Sequence, residues 1–449
     1  MDAVVISRLL TGMTLAFHII FATIGVALPF MFMIAEGLGL YKKDPAYLAM
    51  AKRWAKGFTI TVAVGVVTGT IIGLQLSLLW PSFMRIGGQV IALPLFMETF
   101  AFFFEAIFLS IYLYTWDRFK NRWLHWLLTI PIIIGSTMSA LFITSVNSFM
   151  NTPEGFDMVK GQLVNIDPVA AMLNSSFFVR AFHVVTTGGM TIAFMLASIA
   201  AVKLLRNKFD SDRAYHIKGL KVTVLTGLIF SLFAMMAGHA SAQFLHHEQP
   251  EKLAAMEWHF DTSSRADLVL FGTVDEKAQE IKGAIKIPGM LSFLADNSID
   301  TEIKGLNDIP VDERPPLVIH YFFDLMVFFG VFSFTISVLY FIMKKFKKDW
   351  AHHSFMLYMI ALTGPMSMLA IEFGWFLAEM GRQPWILRGY MKVAEGVTQA
   401  NGVSLTLAAF GLLYLILGFS CVYVLIRIFK DKPAAVDIEN NRANVGGEA

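Results

Sequence analysis

Five ionisable side chains, His18, Glu98, Glu105, His183 and Glu372, stand inside long apolar stretches of the sequence. Between Arg8 and Glu36, His18 is the one side chain that titrates near neutral pH. A charge at a bilayer centre costs at least about 2.5–3.5 kcal/mol on insertion scales, so such groups usually have a task. Buried carboxyls can relay protons, and neutral imidazole is a ready ligand for metals, haem iron included. Glu98 and Glu105 are seven residues apart, which puts them on nearly one helical face, and Glu372 and Glu379 repeat that spacing.

Such groups need a membrane-spanning scaffold, and the composition supplies one. Of 449 residues, 56% are hydrophobic and 16% charged, with a mean hydropathy of +0.60. A soluble chain carries about 25% charged residues. Apolar runs long enough to cross a bilayer fall near 9–35, 58–80, 90–115, 124–149, 177–202, 219–243, 317–343, 354–379 and 404–429, predicting an all-α integral membrane protein of nine transmembrane helices. The loops alternate in charge. Basic residues gather at Lys42–Lys56, Arg118–Arg122, Lys203–Lys221 (Lys208 among them), Lys344–Lys348 and Arg427–Lys432, whereas 150–176 is acidic. The positive-inside rule places the basic loops in the cytoplasm, with the N-terminus outside and the C-terminus inside.

The predicted organisation is 1–243 for helices one to six, 244–316 for a polar outer loop, 317–432 for helices seven to nine, and 433–449 for a disordered cytoplasmic tail. Within the loop, the LAAME stretch predicts a helix and Leu268–Thr273 a strand, ahead of Pro315-Pro316. The net charge of +2 and the lack of a long basic run argue against nucleic acid as a partner. A single cysteine, Cys421, excludes an internal disulfide and a cysteine-ligated iron–sulfur cluster within the chain. No internal repeat is evident, which weighs against an inverted-repeat transporter. The N-terminus lacks the features of a cleaved signal peptide and is expected to be retained.

Helix position converts to depth at 1.5 Å per residue, which puts His18 about 15 Å, and Glu98 and Glu372 each about 12 Å, below the outer boundary. Three polar groups on three helices therefore share one level in the outer half. Glu105 lies about 10 Å deeper than Glu98, toward the cytoplasm. His183 is about 10 Å below the outer face, with Arg180 one turn nearer the surface, and Met326 reaches a similar depth. A histidine and a methionine at matched depth could hold a six-coordinate, electron-transferring haem, with Arg180 placed for a propionate. Each residue also has a plainer use. A single intramembrane histidine can hydrogen-bond a neighbouring helix, Met326 can be core packing, and Glu105 a protonated structural carboxyl. Glu379 at the rim is expected to be solvated, His239 and His320 to be interfacial, and Asn147, Gln75 and Ser139 to bond between helices. The set is singled out by its shared depth.

Three sequence patterns carry a family resemblance. Ile371-Glu372-Phe373-Gly374-Trp375 followed by Gly381-Arg382-Gln383-Pro384-Trp385 is the most specific. Gln249-Pro250-x-Lys252-x-Ala254-Ala255-x-Glu257 opens the outer loop, and Ser7-Arg8-Leu9 precedes Phe17-His18. With the nine-helix topology, these make the chain resemble subunit I of the cytochrome bd-type quinol oxidases over almost its full length. The chain departs from the family at Asp324, where members carry arginine, and at Leu74–Trp80, which lacks the usual F-G-T-N-W ending. Its outer loop also lacks the long insertion of some members.

The resemblance implies roles for the matched positions. His18 would be the axial ligand in a high-spin haem pair, with Glu98 and Glu372 as the carboxylates of that di-haem site. His183 and Met326 would ligate a low-spin haem b, with Arg180, Arg382 and Trp385 contacting cofactor. Lys252 and Glu257 would serve quinol in the outer loop, and Glu105 and Ser139 a proton route. The implied cofactors are two haem b and one haem d, or a third haem b. The implied partners are a second integral membrane subunit and a small single-helix subunit, in a bacterial cytoplasmic membrane. The implied reaction is quinol oxidation at the outer face coupled to reduction of oxygen to water with cytoplasmic protons, which separates charge without a pump. Two other readings of the same residues are a proton-coupled transporter using Glu98, Glu105 and Glu372, and a haem quinol dehydrogenase that never binds oxygen.

Overall fold

In lipid an apolar run can satisfy its backbone only by coiling on itself. In the computed structural model, residues 3–206, 210–347, 349–400, 402–430, 432–442 and 444 are described. Lys208, Lys348 and the tail beyond Asn444 lie outside the described residues. In chain order the helices are α1 (Ala3–Lys42), α2 (Pro45–Leu79), α3 (Pro81–Tyr114), α4 (Arg122–Leu127), α5 (Thr129–Asn151), α6 (Pro168–Met172), α7 (Phe177–Arg206), α8 (Arg213–Glu248), α9 (Pro250–Met256), α10 (Met290–Asp296), α11 (Ile319–Phe346), α12 (Ser354–Met380), α13 (Val393–Gly396), α14 (Val403–Phe429) and α15 (Ala434–Asn440). Among the described residues, nine helical stretches are long and apolar enough to cross a membrane, the fourth being α4 and α5 together.

The helices outrun the apolar segments that announce them. α1 has 40 residues, and at 1.5 Å per residue a helix of that length reaches about 60 Å, twice a hydrocarbon core of about 30 Å. Its polar ends stay helical because neighbouring elements satisfy them. Glu36, fully buried, accepts hydrogen bonds from Tyr112 Oη at 2.8 Å and Arg122 at 3.2 Å, and its Oε1 lies 2.6 Å from His125 Nδ1. That cluster ties α1 to α3 and α4. α2 begins where Asp44 caps it, accepting from the Ala46 N–H at 3.0 Å, with Pro45 in its first turn. α12 packs between α7 and α11, while α1 touches α2, α5, α7, α12 and α14.

Residues 244–316, expected to lie outside and called the outer segment for that reason, are more ordered than a connecting loop. After α9, three antiparallel ladders nest in sequence: β3 (Ser263–Ser264) with β8 (Glu302–Ile303), β4 (Leu268–Leu270) with β7 (Ile285–Ile287), and β5 (Thr273–Asp275) with β6 (Glu280–Lys282). The strand expected over Leu268–Thr273 is therefore split. Phe271 turns to φ +56° and donates its N–H to Asp324 of α11, and β5 starts beyond it. β1 (Asp157–Val159) pairs with β2 (Gln162–Val164), and β9 (Trp385–Leu387) with β10 (Met391–Lys392).

The expectation of a disordered tail from 433 is corrected over 434–440, which form α15. The Ala434 and Ala435 N–H groups donate to Asp212 at 2.7 and 3.1 Å, and Arg53 pairs with Asp437 at 2.7 Å. Asn441 is fully buried and accepts from Trp116 Nε1 at 3.0 Å. Those partners lie on α2, just before α8 and in the turn after α3, which a composition-based reading of the tail cannot register.

Candidate functional site

The sequence-predicted groups are spread over α1, α3, α7, α11 and α12. His18 of α1 meets α2, its Nδ1 lying 2.8 Å from Thr68 Oγ1. Glu98 of α3 accepts from Ser139 of α5 at 2.9 Å, so Ser139 does bond between helices as expected. Glu105, two turns further along α3, is buried, and its Oε1 has no hydrogen-bond partner among the described residues. Among those residues, no three His, Cys, Asp or Glu side chains converge as a metal-ion site.

The α7–α12–α11 layer collects buried polar atoms that lack partners. His183 Nδ1, both carboxylate oxygens of Glu372 and Nε of Arg180 make no hydrogen bond among the described residues. Buried polar groups are nearly always paired, so this concentration marks a place where the protein's own atoms do not complete the chemistry. Met326 of α11 belongs to the same layer. A Cβ added at Gly374, on α12, would lie 2.9 Å from the Met326 Sδ and 3.5 Å from its Cγ. The glycine of the Glu-Phe-Gly-Trp motif thus leaves room for the thioether.

Toward the loop end runs a chain of polar contacts. Arg180 reaches Asn147 Oδ1 at 3.5 Å, Asn147 donates to Glu379 Oε1 at 2.6 Å, and Glu379 Oε2 accepts from Arg382. Arg382 also donates to the Ile386 carbonyl, and its Nε has no partner among the described residues. Glu379 is therefore not the solvated rim group expected from its place at a helix end. Asn147 on α5 and Arg382, three residues on and just beyond α12, close over it, and only Arg382 is near Glu379 in register. Trp385 follows on β9, where the Lys392 ammonium lies 5.4 Å from its ring centre.

The outer segment is fastened to this region. Lys252 on α9 is buried and donates to the Ala378 carbonyl at 3.2 Å. A Cβ at Gly381 would come within 2.5 Å of the Lys252 Cε, so that motif glycine makes room for the lysine stem. Burial, and then the Arg180 guanidinium, hold the Lys252 ammonium well below the usual lysine range. Glu257 ends α9 at 1% exposure, with one carboxyl oxygen unpartnered among the described residues. Burial, and then the charge of Asp324, push its carboxyl well above the ordinary range, although the Val269 N–H bonds to it. Glu257, Trp258, His259, Arg265, Asp267 and Lys286 line an open cleft on the outer segment.

His320 was expected at the interface and is instead fully buried. It stacks on Trp258 with ring centres 3.8 Å apart, its Nδ1 is 2.8 Å from the Met256 carbonyl, and its Nε2 is 3.2 Å from Asp324. Asp324 thus faces His320 and the Phe271 N–H rather than open space. The i, i+4 spacing of His320 and Asp324 was the available sequence signal for this pair. His239 pairs with Asn297 at 2.9 Å beside the outer segment.

Comparison with known proteins decides the family. Residues 6–433 match the family model described as cytochrome bd terminal oxidase subunit I. The chain belongs to that family. It is an oxidoreductase subunit and a multi-pass membrane protein. It is 42% identical, over 98% of its length and 99% of the relative's, to a Bacillus subtilis (strain 168) protein named as a candidate cytochrome bd menaquinol oxidase subunit I. It is 33% identical to the cytochrome bd ubiquinol oxidase subunit 1 of the same organism, covering 96% of this chain and 94% of the relative. Among solved structures, the bd oxidase of Geobacillus thermodenitrificans superposes with a TM-score of 0.93 at 55% identity, covering 96% of this chain and 99% of the other. The resemblance read from the motifs and the nine spans is borne out.

Proposed function

We propose that this chain carries the haems of a respiratory terminal oxidase that takes electrons from a quinol at the outer segment and reduces oxygen to water. The observation that carries the reading is the set of unpartnered buried atoms on α7 and α12, beside a thioether held by Gly374. An imidazole and a thioether are a donor set for low-spin haem, so His183 and Met326 hold one haem b. Arg180 and Arg382, each with a buried Nε that has no partner among the described residues, receive propionates. His18, Glu98 and Glu372 hold a high-spin pair, one haem b with a haem d or a third haem b, which supplies the iron redox chemistry of oxygen reduction.

The chain's own residues supply binding, orientation and proton handling. Glu257 and Lys252 contact the quinol hydroxyls, and Glu257 takes a proton as each electron leaves. Its raised affinity for that proton fits a group that accepts one from a weak acid and passes it to the outer cleft. Glu105 and Glu98, two turns apart on α3, hand protons toward the oxygen-reducing level, with Ser139 fixing the Glu98 carboxyl. The basic loops face the cytoplasm and the N-terminus the outside, in a bacterial cytoplasmic membrane. Quinol protons released outside and cytoplasmic protons taken for water together charge the membrane without a pump. A second membrane subunit, and a small single-helix one, complete the enzyme.

Pyridine haemochrome analysis of the purified complex, paired with oxygen uptake from a quinol donor, tests this proposal. Three haems and cyanide-tolerant or cyanide-sensitive uptake both support it. A haem-free chain would leave the transporter reading, and haems without oxygen uptake would leave the dehydrogenase reading.

A further inference from the structure

His18 has two ring nitrogens, and only the one that lacks a proton can bind iron. Its Nδ1 lies 2.8 Å from Thr68 Oγ1, and Thr68 is fully buried. A threonine hydroxyl has one hydrogen to give. Thr68 Oγ1 lies 2.9 Å from the Val64 carbonyl and 3.1 Å from the Gly65 carbonyl, both acceptors only. With the hydroxyl hydrogen given to that backbone pair, a lone pair faces His18. The hydrogen in the His18–Thr68 bond must then come from Nδ1, which leaves the lone pair on Nε2. The next residue fixes the ring's place: a Cβ at Gly69 would stand 3.3 Å from His18 Cε1 and 3.9 Å from Nε2. The imidazole edge therefore lies against the α2 backbone just beside the hydroxyl that orients it.

We propose that Thr68 is a positioning residue that sets the tautomer and ring orientation of His18, so that Nε2 is the nitrogen presented to iron. This rests on the reading of His18 as an iron ligand. It adds a residue on α2 that the motifs, all on α1, α9, α12 and the turn after it, do not contain. Ligating histidines that donate their other N–H to a fixed acceptor are more basic, and losing such a partner typically costs about 10- to 100-fold in metal affinity.

The test uses the assembled complex in its membrane or detergent. Thr68→Val keeps the shape and removes the acceptor, and Thr68→Ser keeps the acceptor. Two readouts are taken: the iron–histidine stretching band of the reduced high-spin haem by resonance Raman, and retention of that haem against an apomyoglobin trap. The low-spin haem serves as the internal standard. The expected result for Thr68→Val is a lower stretching frequency and about 10- to 100-fold faster loss of high-spin haem, with Thr68→Ser restoring both and the low-spin haem unmoved. A Thr68→Val complex with the parent band and parent retention overturns the inference. If valine prevents assembly, Thr68→Cys, a weaker acceptor of similar size, is read on the same band: a downshift supports the role and the parent frequency overturns it. His18→Ala separates the two levels. If it leaves the high-spin haem intact, the ligand reading fails; if it removes that haem while Thr68→Val changes nothing, only the positioning role fails.

Discussion

Replacing Gly374 with alanine adds one methyl group at a place where the structure has no space for it. The new carbon would lie 2.9 Å from the Met326 sulfur, whereas non-bonded heavy atoms settle at about 3.5–4.0 Å. The sulfur must therefore retreat by roughly 0.6–1.1 Å, or α11 and α12 must part. Overfilling a packed site costs typically about 1–3 kcal/mol, which weakens the methionine's hold on iron roughly 5- to 150-fold if it all falls on that bond. Methionine ligation raises haem potential, so the low-spin haem of Gly374→Ala should have a lower midpoint and bind carbon monoxide as a five-coordinate centre. Reduced-minus-oxidised spectra and a potentiometric titration measure both. Gly330→Ala is the control, since a Cβ there meets nothing within 4 Å although it sits one turn from Met326 on α11. An unchanged spectrum and midpoint in Gly374→Ala would refute the assignment of Met326.

Further expectations follow from other contacts. His183→Ala should abolish the low-spin haem band in the same difference spectrum, and a parent spectrum would rule the ligand out. Glu257→Gln should retain all haem bands while slowing quinol-dependent oxygen uptake; parent turnover would count against the loop role. The same variant should change the pH profile of stability. With the folded-state pKa of Glu257 raised, its contribution is full below the ordinary carboxyl value of 4.5 and is lost as pH rises toward the folded value, so melting of the glutamine variant should decline less steeply with rising pH. Asn441→Ala should lower the melting temperature by leaving the buried Trp116 Nε1 without an acceptor, a loss of about 1–3 kcal/mol; an unchanged melt would show that water replaces it.

The nine spans were legible because lipid leaves an apolar run one way to satisfy its backbone, and composition reports that directly. The titratable residues inside the spans were legible for the same reason, as costly exceptions. What escaped depends on partners remote in sequence. Glu379 looks like a rim residue until Asn147 arrives from α5, whereas Arg382, three residues on, was within reach of the sequence. The tail looks disordered until Asp212, Arg53 and Trp116 are beside it. The ladders of the outer segment use strands of two or three residues, too short for alternation to register. Thr68 is one of several α2 threonines that donate to a preceding carbonyl, distinguished by the His18 Nδ1 that lies 2.8 Å from its hydroxyl.

Lys252 gives the outer segment a rigid handle on the bundle. Its stem fills the notch left at Gly381 and its ammonium holds the last turn of α12, on the helix that also carries Glu372 and Gly374. α9 cannot swing away to admit a substrate without pulling on that helix.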